Sequence, residues 1–148
     1  MEDYNKKILK ALDDFKKGKM VIVVDDKDRE NEGDFIISAE LCTADDINFM
    51  MKEARGLICM SITNEKAQKL KLSPMVSSST AVHETNFTVS VDAIKNATTG
   101  ISAQDRWQTV KVLVDDDSRP EDLGRPGHMF PLIAKEGGVL QRAGHTEA

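Results

Sequence analysis

Met20-Val21-Ile22-Val23-Val24, then Asp25-Asp26-Lys27-Asp28-Arg29-Glu30-Asn31-Glu32-Gly33-Asp34, then Phe35-Ile36-Ile37, is the stretch on which the fold turns. The two apolar runs read as buried strands. The first is apolar on both faces, which predicts a central strand in a sheet covered on both sides. The connection between them is longer and far more acidic than a hairpin turn requires. Its carboxylates at 25, 26, 28, 30, 32 and 34 repel one another unless a cation joins them. If the loop stays extended, side chains of one parity share a side, and Glu30, Glu32 and Asp34 can converge. Hard oxygen ligands favour Mg²⁺ or Mn²⁺ over softer metals, and Arg29 in their midst could hold an anionic substrate. Charge runs are most often solvated surface, so the loop alone does not assign a site.

Working outward, residues 4–17 predict an amphipathic helix, with Tyr4, Ile8, Leu12 and Phe15 on one face, Asp3 as its cap and Gly18 at its end. Thr43-Ala44-Asp45-Asp46 reads as a capping box opening a second helix to about residue 55, with Asp where Glu is usual. Residues 56–63 predict a buried strand and 64–72 a short helix. Ser73 to Thr80 reads as loop, because Pro74 and three consecutive serines disfavour a central strand. Phe87-Thr88-Val89-Ser90-Val91 alternates as a half-buried strand does. Ser102 and Asp105 cap a helix to about residue 114. A Pro- and Gly-containing loop over 115–127 then leads to a strand at 128–134, which Pro131 assigns to an edge or a bulge. Thr146-Glu147-Ala148 opens a helix whose first turn cannot stand alone, so the expectation is one domain over 1–148 that is incomplete at its C-terminus.

A chain of 148 residues, 40% hydrophobic, is the size of one domain with one core. The net charge of −5 argues against nucleic acid or an anionic membrane as the main partner. No apolar run is long enough to span a bilayer. Cys42 and Cys59 form no C-x-x-C pair, which fits a reducing cytoplasm. Alternating strands and helices predict an α/β (α+β) three-layer sandwich, its mixed, twisted sheet flanked by helices. Three polar clusters then qualify as a site: Arg29 to Asp34, Arg125 to His128, and Arg142 to Thr146. His145, between Gly144 and Thr146 at a helix start beside Arg142, has an anion-binding setting. Cys59, inside an apolar strand, reads as core.

Four stretches in order resemble the signatures of 3,4-dihydroxy-2-butanone 4-phosphate synthases of riboflavin biosynthesis. They are the acidic loop, Thr98-Thr99-Gly100-Ile101-Ser102-Ala103-Gln104-Asp105-Arg106, Arg125-Pro126-Gly127-His128-Met129-Phe130-Pro131-Leu132, and residues 137–148 with Arg142, Ala143, Gly144, His145, Thr146, Glu147 and Ala148. The resemblance implies a cytoplasmic homodimeric lyase that converts D-ribulose 5-phosphate into formate and L-3,4-dihydroxy-2-butanone 4-phosphate. It implies Mg²⁺ or Mn²⁺, two per active site, with Glu30 and His145 as metal ligands. Arg29, Glu30 and Asp34 would contact the sugar. Arg142, Ala143, Gly144, His145 and Thr146 would hold the rest of the substrate, phosphate included. His128 would be essential to catalysis, and Asp34 or Glu32 would be the first base, with the sequence choosing neither. A further catalytic Glu of the family lies beyond Ala148. Two readings therefore stand side by side: the synthase, and a weak or inactive shortened form that keeps metal and phosphate binding and dimerisation.

Overall fold

The computed structural model describes residues 2–80 and 85–148. The side chain of Asp3, expected to cap the first helix, lies outside that set. Helix α1 (Glu2–Lys16) is amphipathic as its periodicity predicts. Gly18 ends it with φ +75°, its N–H reaching Phe15 O at 2.9 Å. A Cβ there would be strained, because L side chains rarely adopt this left-handed conformation.

Strands β1 (Val21–Val24) and β2 (Gly33–Ile36) pair antiparallel, Val21 opposite Ile36 and Val24 opposite Gly33. The expected central position of β1 is not what forms. Among the described residues β1 and β2 make a two-stranded sheet, and Ile22 and Val24 remain 64% and 63% exposed. A run apolar on both faces says that both faces are meant to be covered; it does not say which element covers them.

Helix α2 (Ala44–Glu53) starts at the predicted capping box. Thr43 Oγ1 accepts from the Asp46 N–H at 3.3 Å, and Asp46 Oδ2 accepts from the Thr43 N–H at 2.9 Å. Such caps contribute about 1 kcal/mol. Strand β3 (Cys59–Ile62) and helix α3 (Asn64–Lys69) follow where expected, then β4 (Val91–Ala93) and α4 (Ala103–Val114), the last capped by Ser102. Part of the predicted strand before β4 contributes only isolated bridges, Pro74 with Thr88 and Phe87 with Leu132.

Strand β5 (Leu123–Ile133) is the main departure in the second half. It begins inside the stretch read as loop and occupies the centre of a mixed sheet in the order β3-β5-β4, parallel to β3 and antiparallel to β4. Proline is tolerated there because Pro131 still accepts: its carbonyl takes the Thr88 N–H and the Thr88 hydroxyl, each at 3.0 Å. Pro131 withholds only its own N–H from the ladder. The register irregularity does lie in this strand, though ahead of Pro131 rather than at it: Val91 faces Met129 and Asp92 faces Gly124, so Arg125 to His128 are extra residues on β5.

Two apolar clusters fill the α+β scaffold. Ile62, Ala67, Leu70, Leu72, Val91, Leu113 and Leu123 form one. Cys42, Ile47, Ile58, Val110 and Met129 form the other. Helix α4 supplies Leu113 to the first and Val110 to the second. Among the described residues no helix is long and apolar enough to cross a membrane.

Candidate active site

Asp25, at the end of β1, is the hub of the acidic loop. Its side chain is only 4% exposed and accepts from Arg29 Nη1 at 2.7 Å, the Glu30 N–H at 3.1 Å and the Glu32 N–H at 2.9 Å. Burial pushes this carboxyl up. The Glu32 N–H, the Arg29 guanidinium and the Glu30 N–H together outweigh it and hold the group down at about 2. Asp26 adds a local turn, its Oδ1 accepting the Asp28 N–H at 2.8 Å, and Asn31 takes φ 54°. The loop therefore curls around Asp25 rather than staying extended. Side-chain parity does not govern it, because the backbone donors of the loop turn inward onto one carboxylate.

That curl presents Glu30 to the far end of the chain. His145 Nδ1 lies 3.6 Å from Asp34 Oδ2 and 4.0 Å from Glu30 Oε2. The imidazole is 11% exposed, and its Nε2 is buried with no hydrogen-bond partner among the described residues. Ligand atoms of Asp25, Glu30 and His145 all fall within 4.8 Å of one another. A buried ring nitrogen without a partner costs free energy, and on the Nδ1 side of the same ring two carboxylates supply the charge and oxygen donors that a hard divalent cation takes. The donor set fits such an ion. Asp25 already accepts three hydrogen bonds, so it braces the loop, and Glu30 and His145 are the better-placed ligands.

The remaining sequence candidates separate into groups. Arg29 belongs to the same knot, 3.3 Å from Glu30 as well as bound to Asp25. Glu32 and Asp34 are exposed and line, with His145 and Thr146, an open cleft of about 620 Å³ whose other walls are apolar. Arg142 is tied down: its Nη1 lies 2.5 Å from Glu147, itself 2% exposed, and its Nη2 donates to Thr85 Oγ1 at 3.1 Å. Gly144 is buried against that pair, where a Cβ would fall 2.2 Å from Arg142 Nη1; Ala143 is exposed. The expected helix start at 145 is a single 3₁₀ turn, His145–Glu147. His128 has a different partner altogether, Asp92 on β4, at 2.7 Å.

Cys59 lines the cleft, but burial first, and then the charge of Asp34, push its thiol up to about 11. It stays protonated at neutral pH, as a core cysteine should. Sequence reasoning missed one carboxylate, Asp92, and read a second, Asp105, for less than it does. Asp92 is the lone charge in the run Val91-Asp92-Ala93, the kind of signal that marks a buried partner. Asp105, read as a helix cap, is 3% exposed and accepts the Thr98 N–H, the Thr98 hydroxyl and the Gly100 N–H at 3.1, 2.8 and 3.1 Å. It anchors the whole Thr98-Thr99-Gly100 turn.

A mixed α+β scaffold that brings carboxylates of the acidic loop and a buried imidazole near Ala148 together defines a domain with a candidate hard-cation site. The chain belongs to the 3,4-dihydroxy-2-butanone 4-phosphate synthase family, whose profile matches residues 9–148. It is 61% identical over 142 residues to the riboflavin biosynthesis protein RibBA of Cytophaga hutchinsonii, covering 95% of this chain and 35% of that one. It is 55% identical to the 3,4-dihydroxy-2-butanone 4-phosphate synthase of Helicobacter hepaticus, covering 98% of this chain and 41% of the relative. Among solved structures, a 3,4-dihydroxy-2-butanone 4-phosphate synthase in complex with two magnesium ions superposes with a TM-score of 0.92 at 45% identity. That match covers 95% of this chain and 65% of the other. The chain thus spans well under half the length of these curated relatives.

Proposed function

We propose that this chain carries the metal and sugar-phosphate site of a lyase that converts D-ribulose 5-phosphate into formate and L-3,4-dihydroxy-2-butanone 4-phosphate. One observation carries the reading: Glu30 and His145, 115 positions apart in sequence, stand 4.0 Å apart with the buried His145 Nε2 lacking a partner among the described residues. When bound there, Mg²⁺ or Mn²⁺ supplies Lewis-acid neutralisation of negative charge developing on the sugar oxygens. The magnesium-bound relative supports the cofactor class; Mn²⁺ as an alternative and two ions per site are part of the proposal.

The chain's own groups do the rest. In this reading Asp34 takes the proton next to the sugar carbonyl, a role supported by its exposure at the cleft beside His145. Glu32, on the same rim, is placed to orient water or a hydroxyl. Arg29, held by Asp25, presents positive charge to the sugar. Thr146, which lines the cleft, would receive the phosphate end together with Arg142, Ala143, Gly144 and His145 next to it in the chain, with Arg142 exchanging part of its bond to Glu147 for the anion. His128 is the second proton carrier, for the rearrangement and the departure of formate. Residues 1–148 act in this reading as one domain, cytoplasmic and homodimeric. The exposed apolar row Tyr4, Ile8 and Leu12 on α1 supports a partner copy, which sedimentation velocity would show.

The test is formate release from ribulose 5-phosphate with Mg²⁺. Glu30→Gln removes a ligand charge and should lower the rate at least ~100-fold, as loss of about 3 kcal/mol of metal-assisted stabilisation implies. A retained rate removes Glu30 from the metal site. No formate from this chain, with formate once a relative's C-terminal segment is appended, assigns turnover to the longer form and leaves this one the binding site.

A further inference from the structure

His128 is gripped twice by one side chain. Asp92 Oδ1 accepts its backbone N–H at 2.8 Å, and Asp92 Oδ2 lies 2.7 Å from its Nδ1. The carboxylate is 17% exposed and the imidazole 40%, so the pair faces solvent from the histidine side. Both contacts depend on the irregularity between β4 and β5 at Val91/Asp92. Two glycines make room for it. A Cβ on Gly127 would sit 2.1 Å from the Val91 backbone carbon, and one on Gly100 would sit 1.9 Å from Asp92 Oδ2. Ser90 closes the bulge by accepting the Gly127 N–H at 3.1 Å. Asp105 in turn holds Gly100 through its N–H. Two stretches far apart in sequence, 98–105 and 125–128, thus meet on the Asp92 carboxylate.

We infer that Asp92 is a positioning residue that fixes the tautomer and ring orientation of His128 for proton transfer at Nε2. This rests on the function proposed above, in which His128 carries a proton. The physical step is short. A carboxylate accepts and does not donate, so a neutral imidazole beside it carries its hydrogen on Nδ1 and leaves the Nε2 lone pair outward. The backbone contact to the other oxygen prevents the carboxylate from rotating away. Serine proteases use a carboxylate on histidine in the same sense, and there the amide replacement lowers turnover about 10⁴-fold through the wrong tautomer.

Asp92→Asn is the decisive variant because it keeps shape. Its oxygen can still accept the His128 N–H, while its NH₂ faces Nδ1 and demands an acceptor. Nitrogen-15 NMR of the imidazole, assigned by its loss in His128→Asn, should show hydrogen on Nδ1 in the unsubstituted chain and on Nε2 in Asp92→Asn. Turnover should fall ~10²–10⁴-fold with KM within ~3-fold. Asp92→Glu, which keeps the carboxylate, should return the hydrogen to Nδ1. An unchanged tautomer in Asp92→Asn overturns the inference, as does a switched tautomer with kcat within ~3-fold of normal. Absence of formate from every form, with the tautomer still following residue 92, leaves the positioning role standing and removes the proposed reaction instead.

Discussion

The two halves of the molecule bury their apolar side chains to very different degrees. Around the β3-β5-β4 sheet, Leu70, Val91, Leu113 and Met129 have no exposed surface at all. On α1 and the β1–β2 hairpin, Leu9, Ile22 and Val24 keep 66%, 64% and 63% of theirs. Yet the hairpin half carries the acidic loop. Its shape is held by polar contacts to Asp25, and its far wall, His145, arrives from the other end of the chain. The sheet half instead holds His128 on a packed frame. The difference teaches that the two parts of the candidate site rest on different forces: close packing under His128, and charge and hydrogen bonding under the candidate cation site.

The strongest way to break that contrast is a paired truncation. Leu113→Ala should cost about 2–5 kcal/mol, because the neighbours of a fully buried leucine relax only partly into the space left behind. Leu9→Ala should stay within about 0.5 kcal/mol, as for an exposed site. Urea titration followed by circular dichroism measures both. Equal losses would mean that the partner copy proposed on the Tyr4, Ile8 and Leu12 row extends over Leu9 as well.

A smaller effect sharpens the other side. An ion that binds the folded chain alone stabilises it by RT ln(1 + [L]/Kd), about 2.7 kcal/mol at a hundredfold excess over Kd. Mg²⁺ should therefore raise the unfolding midpoint, and Glu30→Gln and His145→Ala should abolish the rise. Hydrogen exchange should show added protection first at the β1 and β2 amides and at residues 145–147, where packing is sparse. A rise that survives both substitutions would place the ion elsewhere.

The same contrast explains what could be read from the sequence. Local rules carried the helices: the Thr43 and Ser102 caps and the Gly18 stop are settled within a few residues of themselves, and each forms as read. The motif resemblance carried the pairing of Glu30 with His145, which no spacing rule could supply. What failed was what depends on distant partners. Val21 to Val24 looked central because burial was inferred from composition, whereas the covering element is a tertiary matter. Pro131 looked like an edge residue because a missing donor is visible in sequence, while the Thr88 hydroxyl that serves its carbonyl is not. Asp92 went unread since its meaning lies in a bulge and in a histidine 36 positions away.

Asp105 gives the finest test, since it asks whether a polar anchor in the packed half behaves as the polar hub in the open half does. The hydroxyl of Thr98 foremost, then the N–H groups of Thr98 and Gly100 and the Ser102 hydroxyl, hold its carboxyl below the ordinary 3.8 against the opposing effect of burial. A carboxyl lowered on folding stabilises the folded chain at pH values above its unfolded pKa. That contribution is lost as pH falls through the folded value. In Asp105→Asn the group no longer titrates and accepts through one oxygen only. The difference in unfolding midpoint between the parent chain and Asp105→Asn should thus be full at pH 7, persist at pH 5 and shrink below about pH 4. Because the carboxylate is enclosed by donors rather than paired with an exposed lysine, the difference should change little with added salt, unlike that of a solvent-exposed ion pair. A difference that is constant with pH would show that the Thr98-Thr99-Gly100 turn is held by packing alone, and Gly100 would then reach Asp92 without help from Asp105.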